Sequence, residues 1–293
     1  MKTYLDCVPC FLRQSLEAAR NVTDDGRIHE QILRDVLRMT AALDLDRPPP
    51  FAGQAIHRRL RELTGVADPY AAVKRVSNRT AMDVLPGLRA AVERAPDPLR
   101  AAATYAVAAN AIDMAIQAGL SAAEIRAALE AGAHEPLCGD WGAFRAAAAA
   151  ATDILYLADN AGEIAIDRLF VEQLSPERVT VAVRGGVVLN DATLADAREV
   201  GMDAEVEVID NGSDAPGTIL EDCRATFRER FRRADLVVAK GQGNFETLSA
   251  VDASIFFFFK VKCPVISRHV GLPVGSHALL RGSANDREGE ARR

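Results

Sequence analysis

The 293-residue sequence predicts an α/β fold: a Rossmann-like, three-layer parallel-sheet core preceded by an all-helical N-terminal domain. Three observations carry that reading. Up to about residue 150 apolar residues recur at helical spacing. Beyond 151, short apolar runs alternate with helical segments, as in a parallel sheet covered on both faces. The loops that follow those runs are crowded with Gly, Asn and Asp. The expected division is a helical domain over 1–150, an α/β domain over 151–280, and a charged, disordered tail over 281–293.

In the first part, helical spacing covers 11–20, 28–42, 52–63 and 69–83, and Pro48, Pro49 and Pro50 separate the second helix from the third. Ser121 and Glu124 are spaced as a capping box that opens a helix ending near Gly132. No run of strands is expected here. In the second part the strands are 153–158, 179–184, 205–209, 235–239 and 264–267, and the helices are 163–174, 192–200, 218–233 and 245–259.

Composition narrows the function classes. Half the residues are hydrophobic (49%) and 26% are charged, the balance of a soluble globular protein. A net charge of -6 argues against a nucleic-acid partner but leaves room for a small anionic ligand in a locally positive pocket. The opening MKTYLDCVPCFLRQ lacks the apolar stretch of a secretory leader. The run 101–120 carries Asn110, Asp113 and Gln117 and makes a poor membrane span. Five scattered cysteines suit reduced thiols, so a cytoplasmic location is expected, with no membrane partner. Nothing in the sequence fixes an oligomeric state.

In an open parallel sheet, ligands sit beyond the carboxyl ends of the strands. Four such loops are expected to converge: Asp159-Asn160-Ala161-Gly162-Glu163; Arg184-Gly185-Gly186 running on to Asn190-Asp191; Asp210 to Thr218, which includes Ser213; and Lys240-Gly241-Gln242-Gly243-Asn244. Asp159, Asn160 and Asp191 offer only oxygen, two of them anionic, a set that hard cations such as Mg²⁺ or Mn²⁺ prefer. Asp and Asn also cap helices, and caps are common, so it is the convergence of loops that favours a metal. Lys240 with the amides of Gly241 to Asn244, and Ser213 nearby, is read as a phosphate cradle. The Lys precedes the glycines, so this is not a Walker A loop.

Two helical stripes point toward the cleft. Asn110 and Asp113 share a face and are candidates to meet substrate; Gln117 continues the stripe and reads as solvent-facing. Tyr70, Lys74 and Asn78 are similarly spaced, and Lys74 or Arg75 could reach substrate, although basic residues on helices are most often solvated. Cys7-Val8-Pro9-Cys10 has no second pair for a zinc site and no thioredoxin-like context, and is read as a helix-start feature in preference to a surface redox pair. His29, His57, His134, His269 and His277 are scattered and suggest no triad.

These motifs resemble the family known as domain of unknown function 89, the metal-dependent damage-control phosphatases, in its archaeal and bacterial branch. The resemblance spans nearly the whole chain: CVPCF at 7–11, DPYAAVKRVSN at 68–78, ANAID at 109–113, ADNAGEIAID at 158–167, RGGVVLNDAT at 184–193, NGSDAPGT at 211–218, ADLVVAKGQGNFE at 234–246 and KVKCPVI at 260–266. It implies a helical domain beside a Rossmann-like core, a divalent metal (Mg²⁺, Mn²⁺, Co²⁺ or Ni²⁺) on Asp159, Asn160 and Asp191, and hydrolysis of sugar phosphates or damaged phospho-metabolites.

On this reading Asp159, Asp191 and Lys240 are the catalytic residues, and Asn110, Asp113, Glu163, Arg184, Ser213, Gly241, Gly243 and Asn244 bind a small phosphorylated substrate. Two rivals are a carboxyl methyltransferase and a non-catalytic binder of metal or phospho-metabolite. The first would need an adenosyl-cofactor loop, and the second would not need two ligand carboxylates on separate loops.

Overall fold

A computed structural model describes residues 1–111 and 121–282. Asp113, Gln117 and the tail from 283 lie outside the described residues. The chain opens with α1 (Cys7–Val22), α2 (Gly26–Ala41) and α3 (Pro49–Thr64). Proline at the first position of α3 forgoes an amide that a helix start leaves unused, and Gly65 ends the helix in a left-handed turn at φ +67°. Next come α4 (Ala71–Glu93), α5 (Pro98–Ala108) and α6 (Ala122–Ala133), the last opened by the expected capping box of Ser121 and Glu124.

Strand β1 (Leu137–Gly139) follows, then α7 (Trp141–Ala150), β2 (Ile154–Leu157), α8 (Glu163–Gln173), β3 (Val179–Val183), α9 (Leu194–Glu199) and β4 (Glu207–Asp210). The chain continues through α10 (Ala225–Arg233), β5 (Leu236–Lys240), α11 (Gln242–Leu248), β6 (Ile255–Lys260), α12 (Pro264–Val270) and β7 (His277–Arg281). Among the described residues the strands form one sheet in the order β1-β7-β6-β5-β2-β3-β4. The five from β6 to β4 are mutually parallel, while β7 runs antiparallel to β6 and parallel to β1.

Strand alternation divides the buried residues between the two faces of this sheet. Ile154, Tyr156, Val181, Leu236, Val238, Phe256 and Phe258 pack with residues of α4 to α8. Leu155, Leu157, Val237, Ala239, Phe257 and Phe259 pack with Phe227 and Phe231 of α10, Phe245 and Leu248 of α11, and Ile266 of α12. A third cluster joins Phe11, Ala18, Ile32, Val36, Ile56 and Leu60, so α1 to α3 share a core of their own.

Several expectations are corrected. Residues 255–260 form β6 and do not continue the helix expected over 245–259: four successive phenylalanines, each at most 2% exposed, fill both cores at once, and only a central strand has two apolar faces. At about 1.5–3 kcal/mol for each buried ring, that pattern overrides a helical reading. Residues 264–270 form α12 where a strand was expected, with Pro264 opening it. The helix expected over 218–233 is confined to 225–233. The first 150 residues are not all helical, because β1 pairs with β7. Helices α4 to α7 share a buried cluster with one face of the sheet, while α1 to α3 form a separate cluster.

Candidate functional site

Strand order locates the site. From β2 the chain steps outward to β3 and β4, then returns so that β5 flanks β2 on its other side. The β2/β5 seam is therefore a topological switch point, where diverging loops leave a crevice at the carboxyl edge. Asp159 follows β2 and Gly241 follows β5. A Cβ on Gly241, whose φ is +80°, would lie 2.1 Å from the Asp159 carboxyl carbon, so the Asp159 side chain lies directly over a glycine that admits no substituent.

The loops after β2 and β3 are held together by main chain. Asn160 and Asp191 form an isolated antiparallel bridge. The Ala161 amide donates to the Asn190 carbonyl at 2.8 Å and the Ala192 amide to the Asp159 carbonyl at 2.8 Å. Between them Leu189 adopts a left-handed φ of 46°. Asp159, Asn160 and Asp191 thus share one wall of a cavity of about 900 Å³. Cys7, Cys10, Phe11, Pro50 and His57 of α1 and α3 also line it, as do Lys262 and Cys263 after β6.

The wall is acidic and its carboxylates are buried. Burial pushes the Asp159 carboxyl up to about 8, and the neighbouring Asp191 and Glu163 add to the rise. Burial also raises Asp191, against the pull of Arg184. Arg184, 2% exposed, donates from Nε to Asp191 Oδ2 at 2.7 Å, and its Nη2 lies 3.5 Å from Asp159 Oδ1 without a hydrogen-bond partner. From its other side, Asn244 Oδ1 accepts from Arg184 Nη1 at 3.2 Å and from the Thr218 hydroxyl at 2.8 Å. The Asn160 amide nitrogen donates to Asp159 Oδ2 and Glu163 Oε2, which turns the amide oxygen away from both carboxylates.

Lys240 stands elsewhere than expected. Its ammonium is fully buried and donates to the Ala106 carbonyl at 2.9 Å, Glu163 Oε1 at 2.7 Å and Asp167 Oδ1 at 2.6 Å, so all three protons are engaged away from the cavity. Burial disfavours the charge, but the two carboxylates outweigh it and raise the Lys240 pKa. Burial also pushes Glu163 up, but Lys240 and Asn110 hold it below its ordinary value. Asn110 Nδ2 reaches Glu163 Oε2 at 2.9 Å, so Asn110 supports Glu163.

The other expected phosphate contacts are likewise internal. The Ser213 hydroxyl donates to Asp222 Oδ2 at 2.6 Å, and the Gly241 amide to the Phe258 carbonyl at 3.0 Å. Gly243 does line the cavity. Lys74 is buried against Asp196 at 2.6 Å, whereas Arg75 is exposed.

Lys262 escaped the sequence reading, and Asn78 enters it only as part of a helical stripe. Lys262 is exposed on the cavity wall, two residues past β6, where it acts electrostatically on Asp159 and Asp191. Reading the phenylalanine run as a strand would have placed it at the same sheet edge as the other loops. Asn78, 0% exposed, accepts from the Gly162 amide at 2.7 Å and donates to Asp196 at 3.2 Å and Glu199 at 2.6 Å, linking the starts of α8 and α9.

Among the described residues no group of three or more His, Cys, Asp and Glu side chains is arranged to hold a metal ion. The trio of Asp159, Asn160 and Asp191 differs from such a group because one donor is an amide. Its chemistry nevertheless fits a hard cation: two crowded carboxylates whose charge burial disfavours, and an amide oxygen on the adjoining residue.

Fold and site together define an α/β protein with an acidic, oxygen-rich cavity at a sheet switch point. The family described as damage-control phosphatase ARMT1-like domain matches residues 3–278. The chain is 34% identical to a damage-control phosphatase of Archaeoglobus fulgidus, over 92% of this chain and 95% of the relative. It is 31% identical to an uncharacterized protein of Methanocaldococcus jannaschii, over 94% of each. The crystal structure of a DUF89 family protein from Pyrococcus horikoshii superposes with a TM-score of 0.89 at 29% identity, covering 97% of this chain and 100% of that one. This chain belongs to the damage-control phosphatase ARMT1-like family. Among the described residues no helix is long and apolar enough to cross a membrane.

Proposed function

We propose that this protein is a divalent-metal-dependent phosphatase that hydrolyses small phosphorylated metabolites, either sugar phosphates or damaged phospho-metabolites. One observation carries the reading: two buried carboxylates and an amide share a cavity wall with an exposed lysine at the same sheet edge. Family membership points the same way. Five free cysteines suit a reducing compartment, and we place the protein in the cytoplasm. The sheet would act as a Rossmann-like core carrying the ligands, with α1 to α3 as a cap over the cavity.

Asp159, Asn160 and Asp191 would hold the metal, which supplies charge neutralisation and polarisation of a phosphoryl oxygen. The chain's own residues do the rest. Lys262 meets the phosphoryl group and offsets its charge. Arg184 keeps Asp191 aligned from behind. Glu163, fixed by Lys240, holds the Asn160 amide in one orientation. The cap, through Phe11 and Pro50, keeps bulk water from the wall.

The test is phosphate release from p-nitrophenyl phosphate and a sugar-phosphate panel after EDTA treatment, with Mg²⁺, Mn²⁺, Co²⁺ or Ni²⁺ restored singly. Activity should return with metal and vanish in Asp159→Ala and Asp191→Ala, while Lys262→Ala should mainly raise KM. Metal-independent turnover, or full activity in Asp159→Ala, would sink the proposal.

A further inference from the structure

Three of the five thiols line the cavity: Cys7, Cys10 and Cys263. Phosphate chemistry has no use for them. Cys7 and Cys10 stand three residues apart in the opening turn of α1, so both project from one face of the helix. At that spacing Cβ atoms are roughly 5–6 Å apart, and a disulfide requires about 3.5–4.5 Å. A modest tightening of the turn therefore suffices. At this helix start the N-cap Asp6 forms no side-chain cap bond, Pro9 contributes no amide, and the Cys7 and Val8 amides bond back to the Tyr4 and Leu5 carbonyls.

The pair is chemically unequal. Arg13 lies one turn further along, with Nη2 at 3.7 Å from Cys10 Sγ, so a cation accompanies that sulfur. Cys7 sits deeper in charge terms: burial pushes its thiol up, and Glu246, Cys263 and Cys10 push it further. Cys223 makes the contrast, a thiol buried in the core between the sheet and α10 and pushed up to about 12.

We propose that Cys10 and Cys7 form a peroxide-reactive dithiol in the wall of the substrate cavity, with Cys10 as the thiol that attacks peroxide and Cys7 as its resolving partner. Cys10 sulfur attacks one oxygen of a hydroperoxide. The O–O bond breaks, the departing oxygen leaves as water or alcohol, and Cys10 becomes a sulfenic acid. Cys7 sulfur then attacks Cys10 sulfur, the S–O bond breaks, and the hydroxyl leaves as water with the Cys7 proton. Two thiols have lost two electrons and two protons to one peroxide, and a small thiol reverses the change. Closure reshapes the α1 wall that carries Phe11 and Gln14, while the wall carrying Asp159 and Asp191 stays in place. The consequence for catalysis rests on the phosphatase reading; the thiol chemistry does not.

The experiment treats the full-length, Mg²⁺-loaded wild-type protein with hydrogen peroxide, alkylates free thiols, and maps peptides by mass spectrometry without reduction. The expected product is a Cys7–Cys10 disulfide that has lost two hydrogens, with Cys138, Cys223 and Cys263 still alkylated. In Cys7→Ser, dimedone should trap a sulfenic acid on Cys10. KM for p-nitrophenyl phosphate should rise about threefold or more with kcat held, dithiothreitol should restore it, and Cys10→Ser should be insensitive to peroxide. Full alkylation of Cys7 and Cys10 after peroxide, or a disulfide that uses Cys263, would overturn the assignment. A Cys7–Cys10 disulfide with unchanged KM would overturn its effect on the cavity. If no phosphatase activity exists at all, the peptide map still decides the dithiol, so the two failures are distinguishable.

Discussion

Replacing Lys240 with methionine discriminates sharply between a buried structural cation and a phosphate ligand. Met keeps the length of the side chain but removes the charge, leaving Glu163 (2% exposed) and Asp167 (0% exposed) without their shared partner. Breaking a buried ion pair on one side costs about 3–5 kcal/mol. A chain of this length unfolds with an entropy near 0.6 kcal/mol per kelvin, so the melting temperature should fall by roughly 5–8 °C.

The loss has a pH signature. With Lys240 gone, the pKa values of both carboxyls rise, and a raised acid destabilises the fold progressively as pH climbs above its unfolded value. Thermal melts followed by circular dichroism should therefore show a larger gap from wild type at pH 8 than at pH 5. Asp167, already pushed up to about 6 by burial against the opposing pull of Lys240, should contribute most to that trend. Melting within about 1 °C of wild type at both pH values, with activity lost, would refute the reasoning and return Lys240 to the phosphate.

Three other outcomes follow from the same geometry. In metal-free protein the Asp159 carboxyl, near 8 through burial, Asp191 and Glu163, makes stability decline as pH rises from about 4 to 8; Asp159→Asn should flatten that decline in melting temperature, and Mg²⁺ should do so in wild type. His57, pushed down to about 4 by burial and by Arg61, makes unfolding take up a proton below its ordinary value of 6.5. Stability should thus fall between pH 6.5 and 4, by up to about 3 kcal/mol, and urea titrations of His57→Gln should show a shallower slope. Asn78→Ala frees the Gly162 amide and both carboxylates of α9, so calorimetric titration with Mn²⁺ should show affinity lowered about 10–100-fold. Unchanged affinity in Asn78→Ala would count against the hydrogen-bond account.

Much of this molecule is legible in its sequence, for identifiable reasons. Strands β2 to β5 and the ligand loops announce themselves because apolar runs end in Asp-Asn or Gly-rich segments, a pattern local enough to read. The phenylalanine run does not, since a short continuous apolar stretch fits a strand or a helix equally and only the two cores that it fills decide. The direction of Lys240 was readable in principle: it shares a strand face with Leu236 and Val238, which pack toward α5 and α8, so alternation aims it into that layer. Reading it as a loop residue missed this. Asn78 was placed on the right helix face, but its partners, more than 80 residues away, had no local trace.

The seam between α3 and the sheet loops centres on Asp214, with Asp222 beside it. Asp214 accepts from Gln54 at 2.8 Å, Arg58 at 2.6 Å and Arg61 at 2.5 Å, and Arg61 also reaches the Val187 carbonyl at 2.6 Å. Helices α1 to α3 thus carry their own core and are latched chiefly at Asp214, with further ties from Gln54 to Asp222, Arg47 to Glu221 and Asp6 to Arg268. In hydrogen-exchange terms they should behave as one foldon, whose amides open together below the free energy of global unfolding and faster still in Asp214→Asn. The wall of the cavity that bears the thiols would then be the part of the protein that breathes, and the wall that bears Asp159 and Asp191 the part that holds still.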